Sequence, residues 1–414
     1  MKAAITKQFR IIGILFLTIF CGYLLLTLVY LLPNSLLADN VKKSASELLQ
    51  QSVYPSIYFK GAVLDNWTDA ECISVTYNTS SSNPFYNAIN AFHMGETDGV
   101  QRLYDTLFHP DAVLNSVDHS YLWHGFRIWL RPLLCLYELS DIRALCFCIN
   151  FVLFGVLCVF LQKLPGHLWN VLPFAAAYFY FNFAVESISL LFFTDLNIMM
   201  LSCLGILWAV SRKKDPTIIF ALTGAVIAFS SMLIFPMLAI GFPLIVWLTA
   251  TKDVERSLIE KILHMIPYAL YWLIGYAITS LTKILLSQTM INSNSGVNMV
   301  KLYLGSSNHL SAADRMERLR KVFNQIIYTS DLRYDCLMLT IAILLLIIII
   351  RRKFSRHALL QGIPYLAIAL LPFLWIFAVA GHSHHFWTCF NFSIMIYAVL
   401  QLLCNMCHHK EGGA

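Results

Sequence analysis

Long apolar segments recur along almost the whole chain, and they restrict the fold more than any other feature. A helix needs about 20 apolar residues to cross the hydrocarbon core of a bilayer. Charged residues make up only 13% of the chain, against about 25% in soluble domains. The sequence therefore predicts an all-α polytopic membrane protein with about ten transmembrane helices. The predicted spans are residues 11–33, 143–162, 168–185, 187–210, 217–234, 235–250, 262–286, 335–350, 359–379 and 386–407.

The positions of lysine and arginine in short loops predict the orientation, because cytoplasmic loops carry an excess of these residues. With ten spans, the short basic clusters all lie on one face of the membrane. We therefore expect both termini in the cytoplasm and the cytoplasmic membrane of a bacterium as the location. The clusters are Lys2, Lys7 and Arg10; Lys163; Arg212, Lys213 and Lys214; Lys252, Arg256 and Lys261; Arg351, Arg352, Lys353 and Arg356; and Lys410.

The predicted spans divide the chain into five segments. Residues 1–33 hold a short cytoplasmic N-terminus and the first span, and residues 34–142 form a large extracytoplasmic loop with interfacial helices. Residues 143–286 carry spans two to seven. Residues 287–334 form a second outer loop with a basic amphipathic helix, and residues 335–414 hold the last three spans and a short cytoplasmic tail. The first apolar run is about 22 residues long, beyond the 7–15 typical of a signal peptide, so we expect an uncleaved anchor.

The first outer loop contains a cluster of acids beside a tryptophan, at Asp65, Trp67, Asp69 and Glu71. In a helix, Asp65 and Asp69 are four residues apart and share a face. Two such carboxylates can hold Mg²⁺ or Mn²⁺, or one can act as a general base, while Trp67 can stack on a sugar ring. The alternative is a solvated turn in which Asp65 caps a helix.

Two basic segments are candidates for binding a phosphate at the membrane interface. In residues 121–132 the spacing of His124, Arg127 and Arg131 places them on one stripe of an interfacial helix. In residues 310–323, Arg315 and Arg318 lie on the polar face of an amphipathic helix in the second outer loop. The alternatives are snorkelling of the first pair of arginines beside a tryptophan belt and non-specific phospholipid contact for the second pair.

Three further groups carry ionisable side chains. His382, His384 and His385 could bind a metal or carry a proton, although histidines this close in sequence rarely converge on one ion, and interfacial histidines without metal are the alternative. Glu186 and Asp195 lie near or within the fourth span, where an ionisable group usually faces a cavity or a partner. Cys404 to His408 matches the spacing of a haem c attachment site, but its expected cytoplasmic position makes a chance match the better interpretation.

The arrangement as a whole resembles the GT-C superfamily of integral membrane glycosyltransferases that use polyprenyl-phosphate-linked sugars. The likeness lies in the short cytoplasmic N-terminus, the large first outer loop with early acids, the interfacial helices and the many following spans, and it covers most of the chain. It implies that Asp65 or Asp69 serves as base or metal ligand. It also implies that Arg127, Arg131, Arg315 or Arg318 holds the lipid phosphate.

The expected function is transfer of a sugar from a polyprenyl-phosphate donor to an extracytoplasmic acceptor. The expected partners are membrane lipid and the lipid-linked sugar. Nucleic acid is not expected, because the basic residues occur in short runs between apolar segments. The alternatives are a lipid or polysaccharide transporter or flippase, which would carry its ionisable groups near the bilayer midplane, a polysaccharide polymerase, and a protein of purely structural role.

Overall fold

The computed structural model describes residues 2–56, 63–79, 81–94, 98–109, 116–232, 234–251, 257–304, 312–329, 331–350, 356–379 and 386–408. The first part of the chain contains a long helix, five shorter helices and a small antiparallel ribbon. These elements are α1 (Lys2–Val29), α2 (Ala38–Gln50), α3 (Asn66–Tyr77), α4 (Pro84–Ile89), β1 (Phe92–Met94), α5 (Gly99–Phe108), β2 (Ser116–Asp118) and α6 (Arg127–Leu134). In the ribbon, Phe92 pairs with Asp118 and Met94 with Ser116.

The remainder of the described chain is helical. A central series of helices comprises α7 (Leu139–Gln162), α8 (Leu168–Tyr180), α9 (Phe183–Glu186), α10 (Leu190–Ser211), α11 (Thr217–Ser230), α12 (Leu238–Ala250) and α13 (Leu258–Ile291). A last series comprises α14 (Ser295–Leu304), α15 (Ala312–Thr329), α16 (Asp331–Ile350), α17 (Arg356–Ala369), α18 (Leu371–Ala378) and α19 (Ser393–His408). Short 3₁₀ turns cover Asn34–Leu36 and Phe386–Phe392.

Seven helical segments among the described residues are long and apolar enough to cross a bilayer. The chain is therefore an α-helical polytopic membrane protein. The seven segments are Thr6–Val29, Leu139–Gln162, Leu190–Ser211, Leu258–Ile291, Leu332–Ile350, Leu360–Phe377 and Trp387–Cys407.

The other three predicted spans coincide with shorter helices. Helices α8, α11 and α12 contain 13, 14 and 13 residues, and at 1.5 Å per residue each is about 20 Å long. The turn that the sequence predicts at Phe235-Pro236 lies in the break between α11 and α12. Proline cannot donate the backbone hydrogen bond that would continue a helix, so the two apolar segments remain separate.

Burial separates the centre of the bundle from its lipid-facing rim. The most apolar stretch of 18 residues in each segment shows this difference. In Trp387–Cys407 and Leu190–Ser211, 83% and 72% of that stretch is buried inside the protein. In Thr6–Val29 and Leu332–Ile350, only 28% and 11% is buried. Helices α10 and α19 therefore form the centre, and α1 and α16 present apolar side chains to lipid.

Helices α11 and α13 approach each other closely where two glycines meet. A side-chain carbon at Gly224 would lie 1.9 Å from the carbonyl oxygen of Trp272, and one at Gly275 would lie 2.0 Å from that of Ala221. Only glycine permits this approach, which is the way that small residues let helices pack in membranes. This contact fixes α11 against the longest helix of the protein.

Candidate functional site

Helix α3 carries Asp69 and Glu71, and Asp65 immediately precedes it. The helix is polar yet almost wholly buried. Ten of its twelve residues are buried, and it packs against α2, α5, α6 and α10. A buried carboxyl group is costly unless it is paired, hydrogen-bonded or protonated. The partners of each acid on this helix therefore indicate which acid is structural and which has its carboxyl group available for chemistry.

Asp65 precedes α3 and caps its first turn. Its carboxylate accepts a hydrogen bond from the Thr68 amide at 3.0 Å and another from the Thr68 hydroxyl at 2.5 Å. The side chain is 1% exposed, and this burial raises the pKa of Asp65 to about 7, although the bonds from Thr68 oppose the shift. The N-cap named as an alternative is thus present, but it is buried rather than solvated.

Asp69 is also buried, and both of its carboxylate oxygens are engaged. The Arg143 guanidinium donates to one oxygen at 2.5 and 3.1 Å, and the backbone amide of Leu190 donates to the other at 2.8 Å. Leu190 begins α10, so Asp69 also lies at the positive end of that helix dipole. Burial raises the pKa of Asp69, and the charge of Arg143 opposes this. Asp69 joins α3 to α7 and α10.

The two predicted catalytic acids are therefore near each other but have different partners. Asp65 is paired with a hydroxyl and an amide, whereas Asp69 forms a buried ion pair. A divalent cation held by both carboxylates would have to displace Arg143, so this pair does not fit the predicted Mg²⁺ or Mn²⁺ site. Among the described residues, no group of three or more histidine, cysteine, aspartate or glutamate side chains lies close enough to hold a metal.

Glu186 lies beside Asp65 and is fully buried. One of its oxygens accepts a hydrogen bond from the backbone amide of Val63 at 3.3 Å, and the other has no hydrogen-bond partner among the described residues. Burial raises the pKa of Glu186 well above its ordinary value, while the nearby charge of Arg333 lowers it. The Asp65 amide bonds to the Ser189 hydroxyl at 3.4 Å, so the chain around Asp65 rests on the segment between α9 and α10.

Aromatic side chains border the same region. The backbone amides of Leu64 and Asn66 donate to the carbonyl oxygens of Pro55 and Val53 at 3.0 and 3.1 Å, which places the backbone of Tyr54 beside that of Asp65. The pKa of Tyr54 is raised by partial burial and by the charges of Asp65 and Asp98. Its ring centroid lies 6.2 Å from that of Trp387, and the tyrosine is 53% exposed. An exposed aromatic face beside a buried carboxyl group is suited to stacking on a sugar ring.

Trp67 and Glu71 lie elsewhere on α3. Trp67 is half-buried, and the guanidinium of Arg102 lies 5.8 Å from the centre of its ring. Arg102 also forms a buried ion pair with Glu71, whose other oxygen lies 3.4 Å from Nδ1 of His119. Trp67 is therefore in contact with a structural cation, and its predicted stacking on a sugar stays a prediction.

Arg127 and Arg131 lie in α6, and both are buried inside the protein. Their side chains are 0% and 1% exposed, and the position of α6 at the membrane interface stays a prediction. Arg131 donates to the carbonyl oxygens of Val29, Leu32 and Thr76 at 2.6–3.0 Å. Arg127 donates, at 2.8–3.2 Å, to the Tyr30 hydroxyl and the carbonyl oxygens of Asn87, Ala88, Asn90, Trp123 and His124.

These contacts have a common physical reason. The last carbonyl groups of a helix lack partners within it and form the negative end of its dipole. Arg131 reaches the C-terminal turns of α1 and α3, and Arg127 reaches that of α4. The two guanidinium groups thus hold three helix ends together. Binding of a phosphate to either of them stays a prediction, and it would require these bonds to break.

His124 is fully buried as well. Its Nε2 lies 3.4 Å from the carbonyl oxygen of His119, and its backbone adopts a positive φ of 53°. Burial lowers the pKa of His124 well below its ordinary range, and the charge of Arg127 lowers it further. A neutral, buried imidazole contributes little to the binding of an anion.

Helix α15 presents a different environment for its arginines. It packs against α18, α16 and the turn Phe386–Phe392, with Val322 buried and the ring of Phe323 5.5 Å from that of Phe392. Arg315 donates to the carbonyl oxygen of Phe377. Arg315 and Arg318 are both half-exposed. Their side chains therefore remain accessible from the surface, and a role in binding phosphate stays a prediction.

His382 and His384, the other predicted metal ligands, lie outside the described residues. Four further residues of the site were not predicted from the sequence, namely Arg143, Arg333, Tyr54 and Trp387. For the two arginines, the sequence did offer a signal. Each lies at the end of a predicted span, where a cation needs an acidic partner.

Comparisons with protein-family models, with curated proteins and with solved structures found no match for this chain.

Proposed function

We propose that the chain is an integral membrane glycosyltransferase, which transfers a sugar from a polyprenyl-phosphate donor to an extracytoplasmic acceptor. The observation that carries the proposal is Asp65, a buried carboxyl group with a pKa of about 7 and no ion-pair partner among the described residues. A general base works best when its pKa lies near the operating pH. Asp69 is less suited to this role, because Arg143 keeps its charge neutralised.

The proposed reaction is a displacement at the anomeric carbon of the donor. Asp65 takes the proton of an acceptor hydroxyl as the hydroxyl oxygen forms a bond to that carbon. The bond between the anomeric carbon and the phosphate oxygen breaks, and the phosphate keeps the electron pair. Tyr54 is exposed and lies against the buried ring of Trp387, so it would offer an aromatic face to a sugar ring.

Arg333 is the cation best placed to stabilise the departing phosphate. It lies in the first turn of α16 and donates to the carbonyl oxygen of Tyr180 at 2.8 Å. It is also close enough to Glu186 to lower the pKa of that acid. A guanidinium group can form paired, charge-assisted hydrogen bonds to phosphate. The proposal thus assigns the base to Asp65 and the phosphate contact to Arg333, with Arg315 and Arg318 on α15 as a second basic surface.

The proposal includes ten spans, cytoplasmic termini, a large extracytoplasmic segment between α1 and α7 and the bacterial cytoplasmic membrane. Two contacts support this topology. Lys7 forms an ion pair of 2.5 Å with Asp215, which joins the N-terminus to the loop before α11. Lys261 donates to the side chain of Gln361, which joins the start of α13 to α17. Each contact links two clusters that the ten-span arrangement places on the cytoplasmic face.

A transporter of lipid or polysaccharide is the second candidate function, and Asp195 favours it. This acid lies inside α10, is fully buried, and accepts a hydrogen bond from the Ser231 hydroxyl at 2.8 Å. Its other carboxylate oxygen has no hydrogen-bond partner in the described part of the chain. Acids within membrane spans often mark pathways for ions, protons or substrates.

The test is sugar transfer by the full-length protein in lipid nanodiscs. A panel of radiolabelled polyprenyl-phosphate hexoses serves as donors, and a membrane extract serves as the source of acceptors. The decisive variant is Asp65→Asn, because asparagine still caps a helix but cannot take the proton. We expect turnover to fall by about 100-fold or more, the usual contribution of a general base.

Asp98→Asn is the matched control. Asp98 caps α5 through the Gln101 amide at 2.9 Å, so the same substitution is made at another helix N-terminus. This variant should keep the parent's turnover. Parent-like activity of Asp65→Asn would refute the assigned base. Absence of transfer by the parent, together with movement of labelled lipid across liposome membranes that Asp195→Asn abolishes, would support the transporter instead.

A further inference from the structure

A polar groove lies at the beginning of α7, beside the first turn of that helix. It is bounded on one side by α2 and on the other by the segment that leads into α7. Its lining includes Lys42, Lys43, Glu47, Phe108, Glu138 and Ser140. Because Ser140 lies one residue inside the membrane-spanning segment Leu139–Gln162, the groove is at the depth where a helix leaves the hydrocarbon.

The surface next to the groove is lipid-facing. Only 22% of the most apolar stretch of 18 residues in α7 is buried inside the protein. Phe151 and Val152 on that helix are 51% and 62% exposed. Leu136, two residues before Glu138, is 70% exposed. A lipid whose acyl chains lie along α7 would therefore bring its headgroup to the groove.

The charged groups of the groove are of both signs and are not paired with one another. Lys42 and Lys43 are exposed, and their ammonium groups have no hydrogen-bond or ion-pair partner among the described residues. Glu47 accepts a hydrogen bond from Gln51 at 3.1 Å, and Glu138 accepts one from the Ser140 hydroxyl at 3.3 Å. Two cations and two anions thus line one groove, and each retains capacity for further contacts.

We propose that this groove binds the headgroup of a zwitterionic phospholipid that carries a primary ammonium, such as phosphatidylethanolamine. The phosphate would be contacted by Lys42 and Lys43, and the ammonium by Glu47 and Glu138. An anionic headgroup would satisfy the lysines but would offer no cation to the carboxylates of Glu47 and Glu138. A choline headgroup has no N–H to donate to them. The proposal does not depend on the proposed glycosyltransferase activity.

The test measures lipid binding to the full-length protein by native mass spectrometry, with phosphatidylethanolamine, phosphatidylglycerol and phosphatidylcholine of identical acyl chains. We expect the parent to retain phosphatidylethanolamine most strongly. The double variant Lys42→Gln/Lys43→Gln should lose affinity for phosphatidylethanolamine and phosphatidylglycerol alike, by about tenfold or more, since each lysine near an anionic headgroup contributes roughly fivefold. The double variant Glu47→Gln/Glu138→Gln should lose the preference for phosphatidylethanolamine and should still bind phosphatidylglycerol like the parent.

Two single variants are matched controls. Lys163→Gln changes a lysine at the opposite end of α7, and Asp141→Asn changes an exposed acid in the first turn of α7 that does not line the groove. Both should bind the three lipids like the parent. Equal binding of the three lipids by the parent, or unchanged binding by both double variants, would overturn the proposal. Soluble glycerophosphoethanolamine that competes as well as the lipid would show that the occupant is not a membrane lipid.

Discussion

Helices α6 and α15 carry the same sequence signal and have opposite environments. Each places two arginines on one stripe of a short amphipathic helix outside the longest apolar segments, and each is predicted to hold a lipid phosphate. In the structure, Arg127 and Arg131 of α6 are fully buried. Arg315 and Arg318 of α15 are half-exposed. Spacing along a helix therefore does not distinguish a buried arginine from one that stays accessible at the surface.

The difference follows from what lies opposite each helix. Helix α6 packs beside α1 and α3, where helix ends present carbonyl groups that need donors. Helix α15 packs through Val322 and Phe323 against apolar side chains, so its polar face remains outside. The backbone termini of neighbouring helices thus bury both arginines of α6. On α15, Arg315 also donates to a helix end, at Phe377 in the last turn of α18, but its side chain stays half-exposed.

The largest effect should come from removing a buried guanidinium. Arg131→Gln leaves carbonyl groups of α1 and α3 without their donor, and each loss of a charged hydrogen bond costs about 1.5–3 kcal/mol. We expect the free energy of unfolding to fall by roughly 5 kcal/mol in mixed-micelle denaturation. Arg320→Gln on α15, where the side chain is 68% exposed, is the control and should change it by under about 0.5 kcal/mol. Equal effects of the two variants would remove the contrast between the helices.

Arg143 extends the comparison to a buried arginine that binds a carboxylate. Arg143→Gln leaves Asp69 as an uncompensated buried charge, which costs about 3–5 kcal/mol. Asp69→Asn in the same chain should recover part of this loss, because the remaining groups are then neutral. The measurement is a double-mutant cycle on the free energy of unfolding. If the double variant loses the sum of the two single losses, Arg143 and Asp69 are not coupled and the prediction is wrong.

The raised pKa of Asp65 predicts a pH dependence of the free energy of unfolding. The native pKa of Asp65 is about 7, above its ordinary value of 3.8, so the folded state holds the proton more tightly than the unfolded state. The contribution of Asp65 to the free energy of unfolding is fully present below about pH 4 and is lost as the pH rises through 7. Relative to Asp65→Asn, which does not titrate, the parent should lose about 3–4 kcal/mol between pH 4 and pH 8. A difference that is constant with pH would refute the shifted pKa.

The smallest effect on stability is expected on α15. Arg315→Ala and Arg318→Ala should each change the free energy of unfolding by under about 1 kcal/mol, as is usual for accessible charged groups. If α15 holds the donor phosphate, affinity for a polyprenyl-phosphate sugar should nevertheless fall roughly tenfold to a hundredfold. The readout is binding of the labelled donor in nanodiscs, with expression level as the control. Parent-like donor binding by both variants would make α15 a packing element alone.

Much of the candidate site was visible in the sequence, but its division of roles was not. The acids at 65, 69 and 71 stand out because they follow an apolar span beside a tryptophan. Nothing local indicates that Asp69 pairs with Arg143, which lies 74 positions away. The same holds for Glu186, whose proximity to Asp65 depends on the docking of residues 63–65 against the start of α10. Ion pairs between distant elements are set by packing and leave no periodic signal.

The sequence by itself determined that this chain is a helical membrane protein, and it located the seven segments that are long and apolar enough to cross a bilayer and the turn at Phe235-Pro236. That information is local, because the length and hydropathy of a segment decide whether lipid can solvate it. The tertiary structure alone decided that α3 is buried and that Asp65 has no ion-pair partner in the described part of the chain. It also decided that Arg127 and Arg131 bind helix ends. These outcomes depend on which backbone and side-chain groups meet after the helices pack, and the free energy of a buried charge depends on those neighbours rather than on its position in the sequence.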